Sequence, residues 1–241
     1  MATHIAILIK FSDGSFTFLR DDVTEDTLTE IQTDASGLLN ITPNLSVGVA
    51  NQGRVATHAM AKVQTDSATT GAWSFGGFIG PQGEVMCPIQ GGGANCTGLS
   101  RLVKPVRMQS GVVVKARWQG QADLVQQASV AVYCASGKCD FFTGTAVDDT
   151  DVSMVNLQGA TWGESLAGQT VVGAYATYAA TNGLADTGVA DGIDAFFVED
   201  SSGQLLGMYA PEKGQGHVVA PYIMQSIRVS QNDTLTVRAN I

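Results

Sequence analysis

The sequence repeats itself once, and this internal repetition constrains the fold more than any single motif does. Four blocks recur in the same order, and the last block contains the matching tripeptides Met108-Gln109-Ser110 and Met224-Gln225-Ser226. The paired blocks begin at Ile7 and Val130, Arg54 and Thr170, Phe78 and Val198, and Lys104 and Ala220, at offsets of 123, 116, 120 and 116 residues. Small loop insertions cost little free energy, so this drift is compatible with a tandem duplication.

Strand signals dominate both copies. Short runs of β-branched and aromatic residues are bounded by turn residues, and the first and third blocks of each copy have the pattern of hairpins. The sequence therefore predicts an all-β protein of two tandem jelly-roll or β-sandwich units from an internal duplication, at residues 1–119 and 128–241. Residues 120–127 would form the connection. Thr27-Leu28-Thr29-Glu30 has the form of a capping box, which favours one short helix toward Gln32.

The composition points to an uncharged surface. Only 15% of the residues are charged, well below the roughly 25% of ordinary soluble domains, while 44% are hydrophobic. Neutral polar residues and Gly must cover the outside, which suits a protein that buries surface against copies of itself. The net charge of −9 argues against direct nucleic-acid binding, because that binding comes mainly from Lys and Arg.

Neither a membrane span nor a secretory signal is expected. No run reaches the 18 or so apolar residues that a spanning helix needs. The segment Met1-Ala2-Thr3-His4 has no Lys or Arg, and the apolar run after it, Ile5–Ile9, is short. Synthesis and folding in a cytoplasm are the expectation.

Enzyme signatures are absent or incomplete. Gly163-Glu164-Ser165-Leu166-Ala167 has the first half of a nucleophile elbow, but Ala167 stands where the second Gly belongs. His58 lies in an expected strand whose aligned counterpart is Ala174, so an ordinary strand histidine is the favoured interpretation. No enzymatic function and no cofactor are expected.

Two acidic clusters occupy equivalent loops of the two proposed units. Carboxylates at this density can bind Ca²⁺ when the backbone folds around them, and plain solvated loops are the alternative. The candidate calcium ligands are Asp148, Asp149 and Asp151, and the first cluster contains Asp21, Asp22, Glu25 and Asp26.

The four cysteines, Cys87, Cys96, Cys134 and Cys139, do not have the spacing of zinc hooks or of a thioredoxin motif. Reduced thiols are expected in a protein made in the cytoplasm. A disulfide between Cys134 and Cys139, across the hairpin turn, is the alternative if the finished particle meets an oxidising exterior.

With this duplicated β unit, its low charge and its lack of catalytic groups, the chain resembles the double jelly-roll major capsid proteins of tailless double-stranded DNA viruses, particularly of small bacteriophages. The resemblance covers the whole chain at the level of architecture. It implies a virion protein, synthesised in the host cytoplasm, with two eight-stranded barrels per chain. Three copies would form a pseudo-hexagonal capsomer in a capsid lattice, together with other virion proteins, usually over an inner membrane that the protein does not span.

Two other functions fit the same features. One is a phage head-decoration or tail protein built from two β-sandwiches. The other is a two-module glycan-binding protein, in which Trp73, Trp118 and Trp162 would provide stacking platforms for sugars.

Overall fold

Almost all regular structure in the described part of the chain is β-strand. The structure is a computed structural model, and it describes residues 3–24, 27–33, 45–65, 71–89, 91–92, 99–120, 126–146, 150–178, 192–209 and 226–240. The chain divides into two compact units, Met1–Gly120 (unit 1) and Gln121–Ile241 (unit 2). The predicted all-β fold with two tandem units of the β-sandwich type is confirmed.

Unit 1 contains two sheets that are antiparallel except for one short parallel pairing, between β4 and β7. In the first sheet the order is β2-β1-β4, and both β7 and β8 pair with β4; in the second it is β3-β9-β5-β6. The elements are β1 (Thr3–Phe11), β2 (Phe16–Asp22), β3 (Thr29–Glu30), α1 (Val47–Ala50), β4 (Val55–Thr65), β5 (Gly71–Ile79), β6 (Val85–Pro88), β7 (Gly91–Gly92), β8 (Ser100–Arg107) and β9 (Val113–Gly120).

Unit 2 also contains two sheets, with the orders β13-β11-β10-β14-β17 and β12-β18-β15-β16. Its first strand begins at Gln126, inside the connection predicted over 120–127. The elements are β10 (Gln126–Cys134), β11 (Cys139–Ala146), β12 (Val152–Ser153), β13 (Val155–Asn156), α2 (Trp162–Leu166), β14 (Thr170–Tyr178), β15 (Gly192–Glu199), β16 (Leu205–Tyr209), β17 (Ile227–Arg228) and β18 (Thr234–Asn240).

Each unit has a core to which both of its sheets contribute. In β1 every second residue is buried, Ile5, Ile7, Ile9 and Phe11, because successive side chains of a strand point to opposite faces. In unit 2 the core cluster joins residues of β10, β11, β14 and β17 with residues of β15 and β18, and Trp162 of α2 packs on Phe142 at a ring-centroid distance of 5.3 Å.

The two units have the same topology. Eight strands correspond in order: β1 to β10, β2 to β11, β3 to β12, β4 to β14, β5 to β15, β6 to β16, β8 to β17 and β9 to β18. Three β-bulges also recur, and since bulges redirect a strand, their repetition is a stronger likeness than strand order alone. They fall at Lys10/Phe11 and Tyr133/Cys134, at Trp73/Phe75 and Ile193/Ala195, and at Phe78/Ile79 and Val198/Glu199.

The short helices occupy equivalent places. The N–H of Gly48 in α1 donates to the carbonyl of Val112, and that of Gly163 in α2 donates to the carbonyl of Asp233, each at 3.0 Å. A Cβ at either glycine would lie 2.2 Å from a backbone oxygen of the loop that precedes the last strand. Glycine is therefore required at both positions, because only a residue without a side chain allows the helix to approach this closely.

Two expectations about local structure are wrong. Thr29–Glu30 forms strand β3 and not a helix, while the capping box that does form is Thr161 with Glu164, at the start of α2.

The tripeptide Met108-Gln109-Ser110 follows β8, whereas Ser226 precedes β17, so the two tripeptides are not equivalent. The equivalent of Met108 is Val229, since their carbonyls accept from Gly53 and Gly168 in the same way.

Candidate functional site

The residue Asp151, predicted as a calcium ligand, is engaged in an ion pair. Its two carboxylate oxygens accept from the Nε and Nη2 atoms of Arg238 at 2.7 and 2.6 Å, and the hydrogen bond with Arg238 lowers the pKa of Asp151. Asp148 and Asp149 lie outside the described residues. Within the described ranges no cluster of three potential metal ligands occurs, so the calcium site stays a prediction.

In the first acidic cluster, the described carboxylates also have partners within the protein. Asp21 accepts from the backbone N–H of Gln32 at 3.0 Å, and Asp22 contacts the ring of His4. Glu25 and Asp26 lie outside the described residues.

Cys134 and Cys139 flank the turn between β10 and β11 and are not joined by a disulfide. Cys139 is opposite Tyr133 in the register, and Cys134 is the next residue along, so the two side chains point to opposite faces of the sheet. Cys134 lies in the core of unit 2, where burial raises the pKa of its thiol. A disulfide between the two cysteines therefore requires the hairpin to change its register.

Ser165, from the incomplete nucleophile elbow, belongs to a structural hydrogen-bond network. Its hydroxyl donates to the buried carboxylate of Asp140, which also accepts from Asn156 Nδ2 at 3.1 Å and from the backbone N–H of Phe141 at 2.8 Å. Lys138 Nζ donates to the carbonyl of Ser165 at 2.5 Å. The network ties α2 to β11 and β13.

Two of the three tryptophans are core residues. Trp162 is fully buried, and Trp118 is 8% exposed with its Nε1–H donating to the carbonyl of Val23 at 2.8 Å. The side chain of Trp73 lies outside what the structure describes. Trp118 and Trp162 therefore do not provide stacking platforms for sugars.

An exposed apolar strand stands at the edge of a sheet in unit 2. Leu205, Leu206 and Met208 of β16, here called the apolar edge, are 52%, 37% and 45% exposed. β16 pairs with β15 on one side, and no described strand pairs with its other side. Since a free strand edge presents unpaired backbone groups, an uncharged edge of this kind is a template for another chain.

The equivalent strand of unit 1 is buried. Val85 in β6 has the register position of Leu205 and is 6% exposed, and Cys87, the equivalent of Gly207, is fully buried. The apolar edge is therefore a property of unit 2 and not of the fold. The pattern Leu-Leu-x-Met without a charge was visible in the sequence, but its exposure depends on packing.

A row of basic side chains crosses the first sheet of unit 1. Lys10 of β1 is opposite His58 of β4, and His58 is opposite Arg101 of β8; these three residues are here called the basic row. They lie on the face away from the core, because their neighbours Ile9, Ala59 and Leu102 are buried. The basic row lines a groove of about 510 Å³, whose other lining residues are Phe11, Ser12, Gly14, Thr57, Leu102 and Pro105.

The described residues on the same face of β10 and β11 in unit 2 are uncharged and mostly buried. Ser129, Ala131, Cys139 and Phe141 lie between core residues of β10 and β11, outside the core cluster, and each is at most 7% exposed. The structural counterpart of His58 is Gly173, opposite Tyr133, and not Ala174 as the sequence alignment indicated.

Comparison with known proteins found no matching family model, no matching curated protein and no matching solved structure. In the described residues no helix is long and apolar enough to span a membrane. The class that the fold defines is an all-β protein with two β-sandwiches in tandem.

Proposed function

We propose that the chain is a viral structural protein, the major subunit of a capsid, in which three copies form a pseudo-hexagonal capsomer. The observation that carries this proposal is the repetition of one sandwich, with the same strand order and the same three bulges, in a single chain. Sandwiches of this kind also serve as lectin and cupin domains, so the repetition matters more than the fold.

The repetition matters because of symmetry. Three chains that close around a threefold axis present six similar units, so one gene product can tile a nearly hexagonal sheet. Closure also accounts for the low charge of the chain, because the sides of each copy would be buried against neighbours. Other virion proteins and an underlying membrane are further expected partners, and the virion is the expected location.

The apolar edge supplies a contact surface for such assembly. Leu205, Leu206 and Met208 are large, exposed and free of neighbouring charges within β16. Burying them against a second copy removes apolar area from water and gives the strand edge a hydrogen-bonding partner. This contact would be only weakly sensitive to salt, since it contains no ion pair.

Of the two alternatives, a head-decoration or tail protein would use the same contact surface but would not form shells alone. The glycan-binding alternative lacks its stacking platforms at Trp118 and Trp162, which are core residues.

The proposal is tested by light scattering on the wild type and on Leu206→Asp, with Val49→Asp as the matched control because Val49 is also an exposed apolar residue. The wild type and the control should form trimers or larger assemblies at micromolar concentration across a salt series. Leu206→Asp should give a folded monomer of 25.1 kDa. A monomeric wild type contradicts the proposal. If Leu206→Asp assembles as the wild type does, the apolar edge is not the contact surface.

A further inference from the structure

The basic row concentrates positive charge in a chain that is acidic overall. The chain has 13 Lys and Arg against 22 Asp and Glu, yet two cations and a histidine stand side by side on three neighbouring strands. Directly opposite side chains on paired strands lie about 5 Å apart at Cβ, so Lys10 and Arg101 stand on either side of His58, close enough to contact one ligand.

No carboxylate in the described part of the chain neutralises Lys10 or Arg101. Lys10 Nζ lies 6.0 Å from the centroid of the Phe16 ring, which is an aromatic partner and not an anion. The nearby Asp13 accepts hydrogen bonds from Ser15 and lies 3.6 Å from Arg54, so its charge is already engaged. Neither Lys10 nor Arg101 forms an ion pair with a described residue.

The fold does not require these charges. The structural equivalents of Lys10 and His58 in unit 2 are Tyr133 and Gly173, and the sheet forms there with the same register and the same bulge. At these two positions the basic residues are therefore specific to unit 1, and folding of the sheet does not require them.

The groove is suited to a small ligand with an anionic group. Its volume of about 510 Å³ falls in the range of small-molecule sites and exceeds that of a bare phosphate. Pro105, an exposed residue of β8, provides apolar surface, while Ser12 contributes a hydroxyl. His58 Nδ1 is hydrogen-bonded to Thr57 Oγ1 at 3.0 Å, which fixes the ring between the two cations.

We propose that Lys10, His58 and Arg101 form a binding site in unit 1 for a small molecule that carries a phosphate or sulfate group. The guanidinium of Arg101 would bind two oxygens of the group, and Lys10 would contribute a point charge. The apolar wall would contact the body of the ligand. This site is separate from the apolar edge and does not depend on the proposed role in a capsid.

The test is isothermal titration calorimetry at low salt with inorganic pyrophosphate, glucose 6-phosphate and glucose 6-sulfate as probes and glucose as the neutral control. Arg101→Gln is compared with Arg107→Gln, which removes the same charge from an exposed position of the same strand outside the groove. Lys10→Gln is the second groove variant, and circular dichroism checks that each variant is folded.

Binding of at least one charged probe is expected, with an affinity about tenfold lower in Arg101→Gln and in Lys10→Gln and changed less than about twofold in Arg107→Gln. The two glucose esters show whether phosphate or sulfate is preferred. Equal affinities in all variants overturn the proposal, as does the absence of binding at about 10 mM probe. A short single-stranded oligonucleotide is titrated as a further probe. If it binds, excludes pyrophosphate and loses affinity equally in Arg107→Gln, the ligand is a nucleic acid and the small-molecule proposal is overturned.

Discussion

The two units share a framework and differ in their surfaces. In unit 1 the outer face of the first sheet carries Lys10, His58 and Arg101, whereas the described residues on the same face of β10 and β11 in unit 2 are uncharged and mostly buried. The edge strand shows the reverse, because β6 is buried and β16 is exposed. The alternation of buried residues, the bulges and the glycine turns are common to both units and therefore specify the sandwich. The outward-facing residues differ between the units and can make different contacts.

The glycine at which the short helix contacts the loop before the last strand should be equally sensitive to substitution in both units. Gly48→Ala and Gly163→Ala each place a Cβ 2.2 Å from a backbone oxygen, so each should lower the free energy of unfolding by about 3 kcal/mol or more. Gly14→Ala is the control, since its Cβ meets nothing and only the left-handed backbone, at a φ of 83°, costs about 1 kcal/mol. Urea denaturation measures all three, and a large difference between Gly48 and Gly163 would break the equivalence of the units.

The polar residue opposite the second strand of each unit should matter more in unit 2. Asn156 accepts from the backbone N–H groups of Gln158 and Ala160 and donates to Asp140, whereas its equivalent Thr33 accepts from Leu45 N at 3.1 Å. Asn156→Ala should cost about 3 kcal/mol, because it leaves buried groups without partners, and Thr33→Ala about 1 kcal/mol.

Hydrogen exchange measured by mass spectrometry shows which unit loses stability in each variant. Asn156→Ala should speed exchange in unit 2 alone. Equal costs at Asn156 and Thr33 would show that the extra bonds of Asn156 contribute nothing.

The smallest effect concerns the ion pair between Asp151 and Arg238; the position equivalent to Asp151 in unit 1 is Leu28, which carries no charge. The pKa of Asp151 is lowered in the folded state, so the pair stabilises the protein at neutral pH and this contribution is lost as the pH falls below 3.8, its ordinary value. Both side chains are about half exposed, so Arg238→Gln should cost no more than about 0.5 kcal/mol at pH 7.

Thermal unfolding across pH checks this prediction. The difference between Arg238→Gln and the wild type should shrink in acid. A difference that grows as the pH falls would contradict the assignment.

The correspondence between the strands of the two units was predictable from the sequence wherever a glycine turn lies within the repeated block. The blocks with offsets of 123 and 120 align correctly, because Gly14 and Gly137, like Gly83 and Gly203, occupy the same left-handed turn positions. The other two blocks lack such a marker within them, and their offsets of 116 are wrong by one and five residues. A slip of one residue exchanges the two faces of a strand, which is why His58 was aligned with Ala174.

The surfaces were not predictable in the same way. Lys10, His58 and Arg101 are far apart in the sequence and become neighbours only through the pairing of β1, β4 and β8. The strand signal of β16 was visible, but its exposure depends on what packs beside it. Local patterns specify elements and turns, whereas a surface depends on long-range register.

Electron microscopy of the purified wild type, in negative stain, tests the central proposal most directly. A chain with two equivalent sandwiches that assembles through closed symmetry should give shells or hexagonal sheets built from trimers of the 25.1 kDa chain, with a sixfold-like outline. Separate two-lobed particles of single chains at micromolar concentration and physiological salt would contradict a capsid role.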